Sequence, residues 1–233
     1  MPTAKLQFHS LDAAIVDLDG TMVDTLGDFD AAVNLMLVEL GLPPMQRRAV
    51  ERLIGRGTEH LLRSVLTHVH APADRYDAAW RAYHEHYLNI NGQHSAIYPG
   101  VVDGLSVLQK AGLRLACLTN KPTALARDLL ARKDLQRFFA VVFGGDAFEQ
   151  KKPDPLPLLK TCEALGSMPA RTLVIGDSSN DARAARAAGC PVLLVTYGYN
   201  HGEPVRAVAA DGFVDSVAEV SPWLRPAGPA ERP

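Results

Sequence analysis

The sequence predicts an α/β protein, with a Rossmann-like, doubly wound parallel sheet as its core and an inserted all-helical cap domain. Three observations point to this class. Short apolar runs recur at 13–18 (AAIVDL), 113–119 (LRLACLT), 139–143 (FAVVF), 172–175 (TLVI) and 191–196 (PVLLVT). Near-continuous Val, Ile and Leu without alternation mark strands covered on both faces. The last four runs are separated by segments of helical character, as a parallel sheet requires. Finally, more than ninety residues lie between the first and second runs, where a simple crossover needs about a dozen or somewhat more. A further run at 212–214 suits an edge strand.

The long interval reads as helices. Leu26, Phe29, Val33, Met36, Leu37 and Leu40 form one apolar stripe that Gly41-Leu-Pro-Pro stops. Val50, Leu53 and Ile54 make a second, ended by Gly55. Thr58 is expected to cap a third helix, carrying Leu61, Leu62, Val65, Leu66 and Val69. Asp74 is expected to cap a fourth, with Trp80, Tyr83 and Tyr87. The boundaries that follow are 22–96 for the helical cap, and 1–21 with 97–222 for the core. Tyr98-Pro99-Gly100 marks the return to the core. The Pro-, Ala- and Gly-rich stretch 223–233 reads as a disordered tail.

Composition narrows the function. An apolar fraction of 47% and a charged fraction of 21% are those of an ordinary water-soluble domain. The net charge of −2 gives no footprint for nucleic acid or an anionic membrane, so neither is expected as a partner. No stretch reaches the ~18–20 apolar residues of a membrane span, and no apolar run near the N-terminus serves as a signal peptide. Cys117, Cys162 and Cys190 are odd in number and far apart, which fits small buried thiols in a reducing cytoplasm.

In an open parallel sheet, ligands bind at the carboxyl ends of the strands. Those ends carry Asp17-Leu-Asp19-Gly-Thr, Thr119-Asn120-Lys121 and Gly176-Asp177-Ser-Ser-Asn-Asp181, with Lys151-Lys152-Pro-Asp-Pro just after the third strand. Several carboxylates at one edge repel one another unless a cation sits among them, and oxygen-only ligands favour a hard ion such as Mg²⁺. Taken singly, each motif has a plainer meaning: a helix cap for Thr119-Asn120, a solvated side chain for Lys152, a turn for Gly176-Asp177. A calcium loop from Asp17 fails, because its sixth position needs glycine and holds Met22.

These four motifs, in this order and with a helical cap between the first two, resemble the haloacid dehalogenase superfamily. The chain is similar to its phosphoglycolate phosphatase branch over roughly residues 10 to 220. The resemblance implies an Mg²⁺-dependent phosphatase acting on a small phosphorylated metabolite, with 2-phosphoglycolate the leading candidate. It gives Asp17 the role of nucleophile, forming an aspartyl phosphate, and Asp19 that of general acid and base. Thr119, Asn120 and Lys152 would hold the phosphoryl oxygens. The carboxylate of Asp17, the backbone carbonyl of Asp19 and the carboxylate of Asp177 would hold the metal. Asp181 would orient a metal-bound water or Lys152 from outside that set. The monomer and the homodimer both stay open.

Other readings were weighed. Gly55-Arg56-Gly57 is either a substrate loop whose arginine reaches a carboxylate or an ordinary turn. His60, His68, His70, His84 and His86 suggest zinc, but His-x-His pairs on a helix point in different directions, which favours solvated or packing roles. A sugar phosphomutase shares this core and acid/base, and free phosphate released without a sugar acceptor separates it from a phosphatase. A phosphonoacetaldehyde hydrolase needs a cap lysine, and 22–96 contains none. From another class, a non-catalytic binding or regulatory protein on the same fold would not need Asp17, Asp19, Lys152 and Asp177 intact.

Overall fold

The computed structural model describes residues 11–224. Six parallel strands form one sheet: β1 Ala13–Val16, β4 Arg114–Leu118, β5 Val141–Phe143, β6 Thr172–Gly176, β7 Val192–Val195 and β8 Gly212–Val214. Their order is β5-β4-β1-β6-β7-β8, which places β1 at the centre between β4 and β6. Each predicted run coincides with one of these strands to within two residues at either end, β6 reaching one residue past its run to Gly176.

Alternation within the strands sorts their side chains into two cores. Ala14, Val16, Leu115, Cys117, Leu173 and Ile175 face one way, towards helices α5 Val101–Lys110 and α6 Thr123–Arg132. Ala13, Ile15, Ala116, Leu118 and Val174 face the other, towards α7 Leu156–Leu165 and α8 Ser179–Ala188. Both faces are apolar, so the strands read as unbroken hydrophobic runs rather than alternating ones.

Between β1 and β4 lie four helices: α1 Leu26–Glu39, α2 Arg47–Glu51, α3 Thr58–His68 and α4 Tyr76–Ile90. They share a third apolar cluster built on Val33, Met36, Leu37, Leu62, Val65 and Tyr83. Leu125 and Tyr199 also belong to it, although they lie outside 22–96. The chain enters and leaves this layer through two-residue strands, β2 Val23–Asp24 and β3 Ala96–Ile97, paired antiparallel. Two residues leave no periodicity, so the sequence did not show them. Asp28 is fully buried in α1 and accepts hydrogen bonds from the backbone N–H of Gly92 (2.8 Å) and His94 (2.7 Å), tying the exit of the layer to its first helix.

Three expectations change. Gly57, with φ of 88°, stands at the N-cap of α3, and Thr58 is its first helical residue. Asp74 lies in a 3₁₀ turn, Ala73–Arg75, and Arg75 precedes α4. Trp223 belongs to no loose tail: it closes a 3₁₀ segment, Val217–Trp223, and is buried in the core cluster, where its indole removes large apolar area from water. The rest of the predicted tail, 225–233, lies outside the described residues. All three cysteines are free and buried, and no helix among the described residues is long and apolar enough to cross a membrane.

Candidate active site

The carboxyl edge of the sheet gathers the predicted residues into one cavity under the helical layer. Asp17 and Asp19 follow β1, Thr119 to Lys121 follow β4, and Asp177 follows β6. Asp181 comes from the first turn of α8 and Lys152 from the loop before α7. Phe29, Ile54 and Leu61 of the helical layer roof the space.

Glycines allow the close approach of these strand ends. Gly20 has φ of 82°, and a Cβ there would lie 2.1 Å from Asp177 Oδ2. The Asp-x-Asp-Gly turn therefore needs a residue without a side chain to lie against the β6 carboxylate. Gly176 is similar, with a Cβ placed 2.3 Å from Asp181 Cγ.

Lys152 Nζ is the buried cation among the acids. It donates to Asp181 Oδ1 (2.7 Å) and to the Leu118 carbonyl (2.9 Å). It also sits 2.9 Å from Asp17 Oδ1, a buried oxygen with no other donor beside it. Asp181 is fully engaged: Oδ1 takes Lys152, and Oδ2 takes the backbone N–H (3.2 Å) and hydroxyl (2.8 Å) of Ser178 in the cap of α8. Asp177 Oδ2 accepts the Tyr199 backbone N–H at 2.6 Å.

Electrostatics divide the three acids. Burial, with the negative charge of Asp181 added, pushes the Asp17 carboxyl up to about 7 against the pull of Lys152. Burial and repulsion from Asp181 and Asp17 push Asp177 well above the carboxylate range. Burial also acts on Asp181, but Lys152 and Ser178 outweigh it and hold that group below the usual value. Burial disfavours the Lys152 charge, yet Asp17 and Asp181 more than offset it, and the ammonium stays charged. One lysine thus faces three carboxylates whose oxygens lie within 4.8 Å of one another. An all-oxygen cluster with surplus negative charge and an unfilled acceptor suits a hard divalent cation.

Two predicted residues stand differently from expectation. The Asn120 side chain is filled by protein: Nδ2 donates to the carbonyls of Gly55 (3.0 Å) and Lys152 (2.8 Å), and Oδ1 accepts the Lys152 backbone N–H (3.1 Å). It holds Lys152 in place and leaves that side chain no free group for a phosphoryl oxygen. Arg56 is exposed and lines a neighbouring cleft with Arg183, Arg186 and His201, whereas Gly55 and Gly57 line the cavity. The cause is local. Asn120 and Asn180 both hold the Gly55 carbonyl inward at 3.0 Å, and positive φ at Gly55 (102°) and Gly57 (88°) turns the intervening side chain out. Among the cap histidines, His86 pairs with Glu39 at 2.8 Å, His84 stacks on Trp80, and His60 reaches Ser64.

Lys121 had no role in the sequence reading. Its Nζ is buried in the same cavity, 3.1 Å from Asp19 Oδ1 and 2.5 Å from the Tyr87 hydroxyl. It lies over the rings of Phe29 (4.8 Å) and Tyr87 (4.6 Å). Only its place in the Thr-Asn-Lys run at a strand end hinted at this.

Residues 14–195 match the family of haloacid dehalogenase-like hydrolases. The phosphoglycolate phosphatase of Thiobacillus denitrificans is 42% identical over 214 residues, covering 91% of this chain and 94% of its own. A plasmid-borne phosphoglycolate phosphatase of Cupriavidus necator is 44% identical over 217 residues, with 92% and 94% covered. The crystal structure of a Haemophilus somnus protein, described as a predicted phosphoglycolate phosphatase, superposes with a TM-score of 0.87 at 30% identity, covering 91% and 96%. The chain belongs to the haloacid dehalogenase-like hydrolases. Within them it falls in the branch of the phosphoglycolate phosphatases, as a phosphoric monoester hydrolase.

Proposed function

We propose that this chain is an Mg²⁺-dependent phosphatase of small phosphomonoesters, with 2-phosphoglycolate its leading substrate, working through an aspartyl phosphate on Asp17. The observation that carries the reading is the gathering of Asp17, Asp177 and Asp181, with oxygens within 4.8 Å of one another, beside one buried lysine. The names of the relatives support the choice of substrate. Buried free thiols suit a cytoplasmic enzyme.

The carboxylates of Asp17 and Asp177, with the Asp19 backbone carbonyl, would hold Mg²⁺. When bound, the ion supplies positive charge that offsets the acids and draws in the phosphoryl group. Lys152 and the Thr119 hydroxyl bind the phosphoryl oxygens, while Asn120 and Asp181 keep Lys152 aimed at them. A carboxylate oxygen of Asp17 forms the new bond to phosphorus as the bond to the ester oxygen breaks. Asp19 gives its proton to that leaving oxygen. Asp19 then takes a proton from a water that attacks the aspartyl phosphate, freeing inorganic phosphate and restoring Asp17.

A panel of phosphate esters, assayed with Mg²⁺ and again with a chelator, tests the reading. Phosphate release from 2-phosphoglycolate that stops on chelation is expected. Release unaffected by the chelator, or turnover that needs a sugar acceptor, would sink it.

A further inference from the structure

We propose that Lys121 receives a carboxylate on the leaving group of the substrate, and that it does so by exchanging Asp19 for that carboxylate. This rests on the phosphatase reading and names the substrate class: phosphate esters whose carboxylate lies one or two carbons from the ester oxygen.

Two lysines line the cavity, Lys121 and Lys152. Lys152 is held among Asp17 and Asp181, where the phosphoryl group must come. Lys121 stands on the Asp19 side, with its side chain 2% exposed. A buried ammonium left with a partial set of partners is costly, so it needs an anion there. In the structure that anion is Asp19 at 3.1 Å. Yet Asp19 must face the ester oxygen during turnover, and cannot serve Lys121 and the leaving oxygen equally well.

A carboxylate on the leaving group resolves the conflict. Asp19 has to touch the ester oxygen, and Lys121 touches Asp19. A group one carbon beyond that oxygen therefore falls beside Lys121 Nζ. The ammonium then trades one carboxylate for another, and Asp19, released from the cation, takes a proton from solvent and turns it towards the ester oxygen. A neutral leaving group offers no such partner, so Asp19 stays paired. Arg56, the other cation considered for this task, faces a different cleft. The helical layer takes part as well: the Tyr87 hydroxyl and the faces of Phe29 and Tyr87 fix the lysine head. Selection is thus complete only with the roof in place.

The test compares 2-phosphoglycolate with ethyl phosphate, which carries a methyl group in place of the carboxylate, in wild type, Lys121→Met, Lys121→Arg and Tyr87→Phe. For Lys121→Met, kcat/KM for 2-phosphoglycolate should fall by at least about 100-fold, the loss expected when one partner of a buried charge pair is removed. The fall for ethyl phosphate should be at least tenfold smaller. Lys121→Arg should recover part of the loss, and Tyr87→Phe should reduce 2-phosphoglycolate turnover selectively. Equal falls for both esters, in folded Lys121→Met or in Tyr87→Phe should the former not fold, overturn the inference and leave the phosphatase reading standing. A wild type that hydrolyses neither ester overturns that reading itself. One that treats both esters alike overturns the choice of substrate together with the role of Lys121.

Discussion

Lys152 stands 2.9 Å from Asp17 and 2.7 Å from Asp181, while Asp177 is met by a backbone N–H. Substitutions at Asp17 or Asp177 and at the lysine should therefore move stability in opposite directions. Burial first, and neighbouring acids second, raise both Asp17 and Asp177, so a neutral amide at either position removes that cost. Asp17→Asn and Asp177→Asn should melt at or above the wild-type temperature without metal, yet lose phosphatase activity. Calorimetry beside a phosphate-release assay checks both. Lys152→Met leaves buried carboxylates unpaired, at a cost of roughly 3–5 kcal/mol. For a chain of this size that lowers Tm by on the order of 10 °C, with turnover at least about 100-fold slower. A Lys152→Met protein as stable as wild type would contradict the charge balance described. The sequence placed most of these groups because each sits at a strand end within a short run. It gave Lys121 no role, because Phe29 and Tyr87, which hold it, lie far away in the chain.

At the scale of the elements, the strands were legible because burial on both faces writes them as apolar runs, and the helices because one face of each is apolar. Their ends were less so. Gly57 and Arg75, rather than Thr58 and Asp74, precede α3 and α4, since a capping residue competes with whatever the neighbouring segment needs. The direction of Arg56 was beyond local pattern altogether, for Asn120 and Asn180 on distant loops set it. The exit of the helical layer, just before β3, is tied to α1 by Asp28. Asp28→Ala removes the acceptor for the backbone N–H groups of Gly92 and His94, and should cost about 1–3 kcal/mol for each hydrogen bond lost. Faster hydrogen exchange at residues 91–95 and a lower Tm would be the signs. Unchanged exchange there would mean that the tie does not hold the exit.

Across the whole molecule, a metal bound as proposed would compete with protons for the same carboxylates. The Asp17 carboxyl stands at about 7 in the folded chain against an ordinary value of 3.8. A group raised in this way favours folding while it is protonated, and that contribution is lost as pH rises from about 4 through 7. Mg²⁺ needs the ionised acids, so the rise in Tm that it produces should be small at pH 5 and larger at pH 8. Equal increments at both would argue against binding at Asp17 and Asp177. The central claim is that the sheet edge makes Asp17 the phosphoryl acceptor. Borohydride reduction of a rapidly quenched reaction reports on it directly, since it converts an aspartyl phosphate to homoserine. With Mg²⁺ and 2-phosphoglycolate, and with Asp19→Asn slowing breakdown, the peptide containing Asp17 should carry homoserine, and Asp17→Asn should carry none. Homoserine at another aspartate, or none at all while the ester is consumed, would contradict the account.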